Sequence, residues 1–275
     1  MFQTLSKNER DFLVEAIRLD CRADARNAKE TRLIRQAQFE NHRRDAPWQV
    51  DQIKFGDENG QVLLRMGQTK ILTQSTLKMV SPKPGKPNEG DLKINVEFSS
   101  LLHSAEFAQQ TTTLSEMRIE IASFIDKVLK QSRCTDREGL CIIQGKLAWN
   151  LTVDLQLLND DGNLIDAFFL AAVLALKNTR LPEVSMKGET ILVSTSASNF
   201  VNVHHLPVCS TFYFIPRIDF PIVDASAKEE RLATARLSVC MNVFEDVCGM
   251  QTLGQMDIDP MQLLECTRDA LAITK

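Results

Sequence analysis

Residues 139–182, GLCIIQGKLAWNLTVDLQLLNDDGNLIDAFFLAAVLALKNTRLP, decide the fold because they place a clear strand directly before a clear helix. In the first half, apolar and polar residues alternate, which is the pattern of a β-strand with one buried face. The apolar positions are Leu147, Trp149, Leu151, Val153, Leu155 and Leu157, and the polar positions between them are Asn150, Thr152, Asp154 and Gln156. The sequence therefore predicts a strand whose apolar face packs on a core.

The second half of this stretch predicts a helix that lies inside a core. Residues 160–163 supply turn chemistry, with Asn163 at the N-cap position and Asp166 in the first turn, where the helix dipole favours negative charge. Residues 167–176 carry no polar side chain, and Pro182 stops the helix. A helix that is apolar on every side is covered by protein or lipid, and a bilayer span needs about 20 apolar residues. This run is too short, so we expect the central core helix of a soluble domain.

Composition limits the class of protein. A chain of 275 residues is long enough for one large domain or two small ones. Its net charge of -4 argues against a free-standing nucleic-acid binder, although RNA contact along one basic face stays possible. The seven cysteines are scattered and never spaced as C-x-x-C, and the first residues lack the apolar region of a signal peptide. These features predict a reduced, intracellular compartment and argue against a zinc ribbon.

The N-terminal segment combines an amphipathic helix with a basic stretch. Ser6 caps the helix, Glu9 completes a capping-box spacing, and we expect the apolar stripe to dock on a partner. The stripe consists of Phe12, Leu13, Ala16, Ile17 and Leu19. Residues 21–26 are interpreted as a charged connector. Residues 29–44 are basic and form either an RNA-facing arm, with Arg43 and Arg44 as the candidate RNA-binding residues, or a solvated insertion.

The rest of the chain alternates strands with helices. The predicted elements, in order, are a strand 48–55, paired strands 61–66 and 70–79, a loop 81–90, a strand 92–98, a helix 115–131, a hairpin 183–195, strands 201–215 and 218–223, a helical turn 225–232, a hairpin 237–253 and a helix 260–272. Mostly antiparallel strands with long helices between them indicate an α+β protein with two similar halves.

No sequence motif identifies an active site. Nucleotide-binding glycine loops, the serine nucleophile elbow and the zinc-protease signature are all missing from the sequence. His204 and His205 are neighbours, so a shared metal is improbable if they lie in a strand; we expect one core and one surface histidine. Asp160 and Asp161 fit a turn better than a magnesium site, and Glu229 and Glu230 fit first-turn acids. We therefore predict no metal and no cofactor.

Several blocks of the sequence resemble a known family in their order and spacing. They are the capped N-terminal helix, Arg22-Ala23-Asp24-Ala25-Arg26, Met66-Gly67-Gln68-Thr69-Lys70, the loop 81–90, residues 160–167, residues 175–182, and Val223-Asp224-Ala225 with Glu229-Glu230. Together they resemble the RNase PH-like ring subunits of the eukaryotic RNA exosome. The resemblance implies an RNase PH-like α+β fold, with two similar β-rich halves, a ribosomal-protein-S5-domain-2-like half and a C-terminal RNase PH half, and helices packed between them.

The resemblance also implies partners and a place in the cell. Six such chains assemble into a ring that RNA threads, together with S1/KH RNA-binding cap subunits and, indirectly, hydrolytic exoribonuclease subunits. The complex processes and degrades RNA from its 3′ end, including ribosomal and messenger RNA, in the nucleus, nucleolus and cytoplasm. No membrane partner is expected. We divide the chain into an N-terminal helical arm 1–27, a first RNase PH-like domain 28–196 and a second domain 197–275.

Departures from the family's catalytic pattern predict that this chain is catalytically silent. Phosphorolytic members carry Gly-Thr-Arg where the central helix begins, and the arginine holds the attacking phosphate; here the matching residue is Leu164. The family's two catalytic aspartates match Asn199 and His205, and its RNA-gripping arginine loop matches residues 111–113, which carry no positive charge. The resemblance thus implies no catalytic or phosphate-binding residue. The alternatives are an active phosphate-dependent 3′–5′ exoribonuclease and a metabolic enzyme on a similar scaffold.

Overall fold

The computed structural model describes residues 5–20, 22–31, 53–56, 58–99, 111–187, 190–255 and 257–275. The candidate RNA-binding residues Arg43 and Arg44 lie outside the described residues, as does most of the predicted strand 48–55. The structure confirms the predicted fold class, with two sheets and helices between them.

A large sheet is built around the strand that the opening stretch predicts. Its strands are β1 (Ile53–Phe55), β2 (Val62–Met66), β3 (Thr69–Val80), β4 (Asp91–Phe98), β5 (Cys141–Ile143) and β6 (Leu147–Asn159). The order is β1-β2-β3-β6-β4, and β5 also pairs with β6. Strand β6 pairs antiparallel with β3 and parallel with β4, so it occupies the middle of the sheet. Its residues Leu151, Val153, Leu155 and Leu157 are buried, as their alternation predicts.

The second sheet has four strands and lies in the C-terminal half. It contains β9 (Val208–Phe214), β10 (Ile222–Val223), β11 (Ala235–Met241) and β12 (Val247–Gly254), in the antiparallel order β10-β9-β11-β12. A separate hairpin, β7 (Arg180–Lys187) and β8 (Thr190–Phe200), precedes it. The predicted hairpins at 183–195 and 237–253 are therefore confirmed. The predicted strand 201–215 begins later than expected, after Pro207, which has no N–H to donate to a ladder.

Five helices are described: α1 (Lys7–Arg18), α2 (Thr111–Gln131), α3 (Leu164–Asn178), α4 (Ala227–Glu230) and α5 (Pro260–Thr274). Helix α3 contacts β2, β3 and β6 on one side and β9 on the other, and α2 contacts β4 and β12. These two helices thus lie between the sheets, and α5 packs on β9 and β11. The apolar run of α3 is almost wholly buried, which confirms the prediction of a central core helix. No helix in the described ranges is both long enough and apolar enough to cross a bilayer.

Helix α1 packs against its own chain, which corrects the expectation that its apolar stripe docks on a partner. Ser6 accepts a hydrogen bond from Glu9 N as predicted. Leu13 and Ile17 are buried against Tyr213, Ile215, Ile222, Ala225 and Leu232 of the C-terminal half. Only Phe12 and Leu19, which are 65% and 71% exposed, are left for an outside contact. The physical reason is that the C-terminal half of the same chain supplies the apolar surface on which this face of α1 is buried.

The division into an arm and two domains stays a prediction. The predicted boundary at residue 196 falls inside β8, which runs from Thr190 to Phe200. The arm is tied to the second half through α1 and through the residues that follow it.

Candidate functional site

The amino end of α3 is the place where the family's phosphate site is expected. Gly162 has φ of 84°, and a Cβ there would lie 2.5 Å from Ala227 N. The turn before α3 therefore packs directly on the start of α4, and only glycine fits at this position. Asn163 is the N-cap residue, but it has φ of 54° and its side chain makes no capping hydrogen bond. The predicted N-cap position of Asn163 is therefore confirmed, although its side-chain amide donates to Asp166 and Asp224 and does not cap the helix.

A carboxylate of the same chain occupies the helix terminus. Asn163 N donates to Glu230 Oε1 over 2.7 Å, and the Tyr213 hydroxyl donates to the same oxygen. Burial raises the pKa of the Glu230 carboxyl, against the lowering effect of the Tyr213 and Asn163 hydrogen bonds. The positive end of a helix attracts anions, and here the Glu230 carboxyl group occupies that place.

Asp166 lies in the first turn of α3 and is held by three donors. Its carboxylate accepts from Thr211 N at 2.9 Å, from the Thr211 hydroxyl at 2.6 Å and from Asn163 Nδ2 at 2.9 Å. Asn163 Nδ2 also donates to Asp224 Oδ1 at 2.8 Å. Burial raises the pKa of Asp166 from 3.8 to about 6, and the nearby Asp224 adds to this rise. Three carboxylates, those of Asp166, Asp224 and Glu230, thus surround one asparagine.

Leu164 follows immediately as the first residue of α3. It is 8% exposed and belongs to the hydrophobic core between the sheets. The leucine side chain is therefore part of the packing, and it offers no donor to a ligand at this helix end.

The charged connector at residues 22–26 forms a buried ionic network, which its sequence did not predict. Arg22 donates through Nε and Nη2 to the Glu229 carboxylate, and also to the carbonyls of Val223 and Asp224. Arg26 donates to Asp224 Oδ2 at 2.9 Å and to Asp24. Both arginines are fully buried. Their partners are the acids beside the start of α3, so the arm closes over this corner of the molecule.

The other positions singled out in the sequence lie elsewhere. Asn199 is exposed in β8, near the carboxyl end of α3, where Val201 N donates to Thr179 O. An α-helix rises ~1.5 Å per residue, so that end lies roughly 20 Å from Leu164. The structure therefore does not bring Asn199 and Leu164 together.

His204, His205 and the remaining candidates also lie apart from a common centre. His204 is exposed, whereas His205 is half-buried with its Nε2 3.8 Å from Cys248 Sγ. Residues 111–113 form the first turn of α2. Glu229 and Glu230 lie in the first turn of α4, as predicted. Among the described residues, no group of three or more His, Cys, Asp or Glu side chains has a metal-binding arrangement.

Sequence reasoning missed the arginine–carboxylate network at the start of α3. The available signal was the pair of arginines in Arg22-Ala23-Asp24-Ala25-Arg26 together with the acids of residues 224–230. Arg22 and Glu229 are 207 residues apart, and no local pattern indicates that they meet.

Two sequence profiles identify the family. Residues 51–182 match domain 1, and residues 205–272 match domain 2, of the 3′ exoribonuclease family. Together these matches cover more than half of the chain. The chain belongs to the 3′ exoribonuclease family. The two sheets agree with this membership. The domain 1 profile covers the large sheet and the domain 2 profile covers the four-stranded sheet, and most of the β7–β8 hairpin lies between the two profiles.

Individual members of the 3′ exoribonuclease family are similar over almost the whole chain. The exosome complex component RRP45 of Homo sapiens is 32% identical over 269 residues, covering 97% of this chain and 57% of that protein. The component rrp45 of Schizosaccharomyces pombe is 29% identical over 271 residues, covering 98% of this chain and 86% of that protein. This chain thus spans a little over half the length of the vertebrate relatives.

Solved structures of the family share the fold. A chain of the Archaeoglobus fulgidus exosome with RNA bound to the active site superposes with a TM-score of 0.76 at 24% identity, covering 96% of this chain and 94% of that one. A chain of an archaeal exosome core gives a TM-score of 0.73 at 23% identity, covering 96% and 92%.

Proposed function

We propose that this chain is a structural ring subunit of the RNA exosome that supports 3′–5′ RNA processing and decay without cleaving RNA itself. Membership of the 3′ exoribonuclease family, similarity over almost the whole of this chain to exosome components of an animal and of fission yeast, and the fold of archaeal exosome chains support the ring assignment. The partners are other RNase PH-like subunits, S1/KH cap subunits and the RNA that threads the ring, with hydrolytic subunits contacted indirectly.

The single observation that carries the catalytic part of the proposal is the hydrogen bond from Asn163 N to Glu230. Phosphorolysis needs inorganic phosphate at the amino end of the central helix. In this chain that N–H already donates to a carboxylate, and Leu164 stands where a guanidinium is needed. A phosphate would have to displace Glu230 and would find no replacement charge at residue 164.

Electrostatics adds to this argument. Two like unit charges 4 Å apart repel by about 4 kcal/mol at an effective dielectric constant of about 20. Glu230, Asp166 and Asp224 all lie around Asn163, and the arginines nearest to this cluster are already bonded to acids or carbonyls. A phosphate dianion placed there is repelled by each of these carboxyl groups that is ionised, and Arg22 and Arg26 already have acidic partners.

The activity test compares a reconstituted ring that contains the wild-type chain with rings that contain Glu230→Gln or Asn163→Ala. Each ring is incubated with RNA, phosphate and Mg²⁺, and nucleoside diphosphate release is measured. We expect the same release from all three rings, and none from the pure chain, because other subunits perform any cleavage. Release from the pure chain, or release that these substitutions abolish in a correctly assembled ring, favours the alternative of an active phosphorolytic exoribonuclease.

Assembly and location have separate tests. Affinity purification of the tagged chain from its source cells should recover other RNase PH-like subunits and S1/KH caps. We extend the proposal to the nucleus, nucleolus and cytoplasm, which fluorescence microscopy of the tagged chain examines. Recovery of the chain without any ring subunit contradicts the ring assignment.

A further inference from the structure

A cleft at the opposite end of the large sheet carries an unassigned cluster of cations. It has a volume of about 170 Å³ and lies between the loop 81–90, the start of β4 and the start of β6. We call it the basic cleft and define it by Lys83, Lys86, Lys93, Arg137, Asp91 and Asn150. The space is several times the ~30 Å³ that one water molecule occupies in the liquid, but it is too small for a drug-sized ligand.

Positive charge is in excess in the basic cleft. Its lining contains four cationic side chains and two acidic ones, Glu89 and Asp91. Asp91 is paired with Lys83 at 2.9 Å, whereas Glu89 is paired with both Lys86 at 3.1 Å and Arg137 at 3.2 Å. Lys93 is exposed and makes no ion pair with the described residues. The acids are thus already matched, and the surplus of cations faces the cleft.

Arg137 presents a fixed donor that has no acceptor. Its Nη1 is held by Glu89, and its Nη2 donates to Gly90 O at 3.3 Å. Gly90 N returns a hydrogen bond to Arg137 O at 2.8 Å. The remaining donor, Nε, is buried and has no hydrogen-bond partner among the described residues. A buried charged donor without a partner costs free energy, so an acceptor is expected beside it.

Two acceptors in the same cleft also lack partners. Asp91 Oδ1 and Asn150 Oδ1 are buried and accept no hydrogen bond within the described ranges. A phosphate group satisfies Arg137 and the lysines, but a phosphodiester offers no proton to these two oxygens. Water, a sugar hydroxyl or the P–OH of inorganic phosphate does, so a sugar–phosphate unit and inorganic phosphate can each satisfy both sets of groups.

The titration of Asp91 agrees with a positive local potential. Burial alone would raise the pKa of the Asp91 carboxyl, but Lys83, Lys130 and Arg137 together bring it below its usual value.

Gly90 lets one wall of the cleft pack closely on β6, because a Cβ at residue 90 would lie 2.6 Å from Trp149 O. The wall of the cleft at Gly90 is therefore closely packed on Leu140 and on the backbone of Trp149.

We propose that the basic cleft binds a phosphate group, with Arg137, Lys86 and Lys93 as its donors. The source is either the backbone of single-stranded RNA or free inorganic phosphate. The lining of the cleft contains none of the residues around Asn163 at the start of α3. The proposal therefore does not depend on ring assembly or on catalytic inactivity.

The test uses the full chain and the double substitution Lys86→Gln with Lys93→Gln. Binding of a fluorescein-labelled single-stranded RNA is followed by anisotropy between 50 and 200 mM KCl, and binding of inorganic phosphate is measured by calorimetry at constant ionic strength. The control, Lys127→Gln with Lys177→Gln, removes the same charge from exposed positions on α2 and α3. All four lysines are exposed, so both variants should fold, which circular dichroism checks.

We expect the double substitution in the cleft to weaken binding roughly tenfold. Each phosphate contact on a single strand contributes about 0.7 to the slope of log K against log salt concentration. Removing two lysines should therefore reduce the magnitude of that slope for RNA binding by about 1.4. The control should match the wild type. Loss of RNA binding alone identifies the RNA backbone as the source, and loss of phosphate binding alone identifies free phosphate. Absence of both kinds of binding, or equal effects of the two variants, overturns the proposal.

Discussion

The buried pair of Arg22 and Glu229 yields the sharpest prediction about how the arm is held. Replacing Arg22 with Met removes two hydrogen bonds to the Glu229 carboxylate and one each to the carbonyls of Val223 and Asp224. Glu229 keeps only its bonds from the Ser226 N–H and hydroxyl. Its charge then lies buried without a cation, and breaking a buried pair in this way costs about 3–5 kcal/mol.

Replacing both partners should cost less than the sum of the two single changes. In Arg22→Met with Glu229→Met no unpaired charge is left, although two carbonyls and the Ser226 capping box lose partners. We expect a coupling free energy of about 2–3 kcal/mol between the two positions. The pair Lys29–Asp269 is the matched control, since it also joins the residues that follow α1 to the C-terminal half, but its Lys29 side chain is 65% exposed. Lys29→Met should cost below about 1 kcal/mol.

The assay is urea denaturation followed by far-UV circular dichroism and by tryptophan fluorescence, for which the buried Trp149 is a probe.

The pH dependence of the free energy of unfolding gives a second readout. Arg22 lowers the pKa of Glu229 against the raising effect of burial, so the pair adds stability above the unfolded pKa that is lost as pH falls through the folded pKa. The reasoning is refuted if the single costs simply add, or if Lys29→Met costs as much as Arg22→Met.

Three further predictions concern titration, packing and association. As pH rises from about 4 to about 7, the free energy of unfolding of Asp166→Asn should increase relative to that of the wild type by up to roughly 3 kcal/mol. The reason is that Asp166, with its pKa raised to about 6, loses its proton at a higher pH in the folded state than in the unfolded state. Urea denaturation that gives the same difference at every pH contradicts this prediction. Gly90→Ala should lower the free energy of unfolding by about 1–3 kcal/mol, since its Cβ meets Leu140 and a backbone oxygen, whereas Gly85→Ala, which has open space, should change nothing. The isolated chain should self-associate, because Phe12, Phe200 and Phe244 are more than half exposed; light scattering from a stable monomer at micromolar concentration opposes this.

Local periodicity was sufficient to predict the elements that build the core. The alternation along β6 and the unbroken apolar run of α3 each depend on neighbours within one element, so a single sequence contains the whole signal. Boundaries were less predictable. Helix α2 begins at Thr111, earlier than the expected Ser115, because the weak helix propensity of threonine gave residues 111–113 the pattern of a polar lead-in.

The site was harder to predict, because it is assembled from distant segments. Asn163 has the right residue type for an N-cap, yet its amide donates to Asp166 and Asp224 because the turn places it in the left-handed region. Arg22 and Arg26 have the composition of a surface connector. Their burial follows only from acids that approach from 198 and 207 residues away. Charge runs in one sequence therefore do not show which charges are solvated.

The network around Asn163 also bears on what a Leu164→Arg substitution would do at the start of α3. Arg22 holds Glu229, and the next residue in the same short helix, Glu230, accepts from the N–H that a phosphate needs. An arginine at residue 164 would have to leave the core and would then meet Glu230 and Asp166 before any free anion. Both the leucine and the carboxylate have to change, and changing Glu230 removes the acceptor of the Tyr213 hydroxyl as well. The N-terminal segment, α4 and the start of α3 are thus linked through shared hydrogen bonds, so under the proposed function a single substitution at residue 164 should not give the chain phosphorolytic activity.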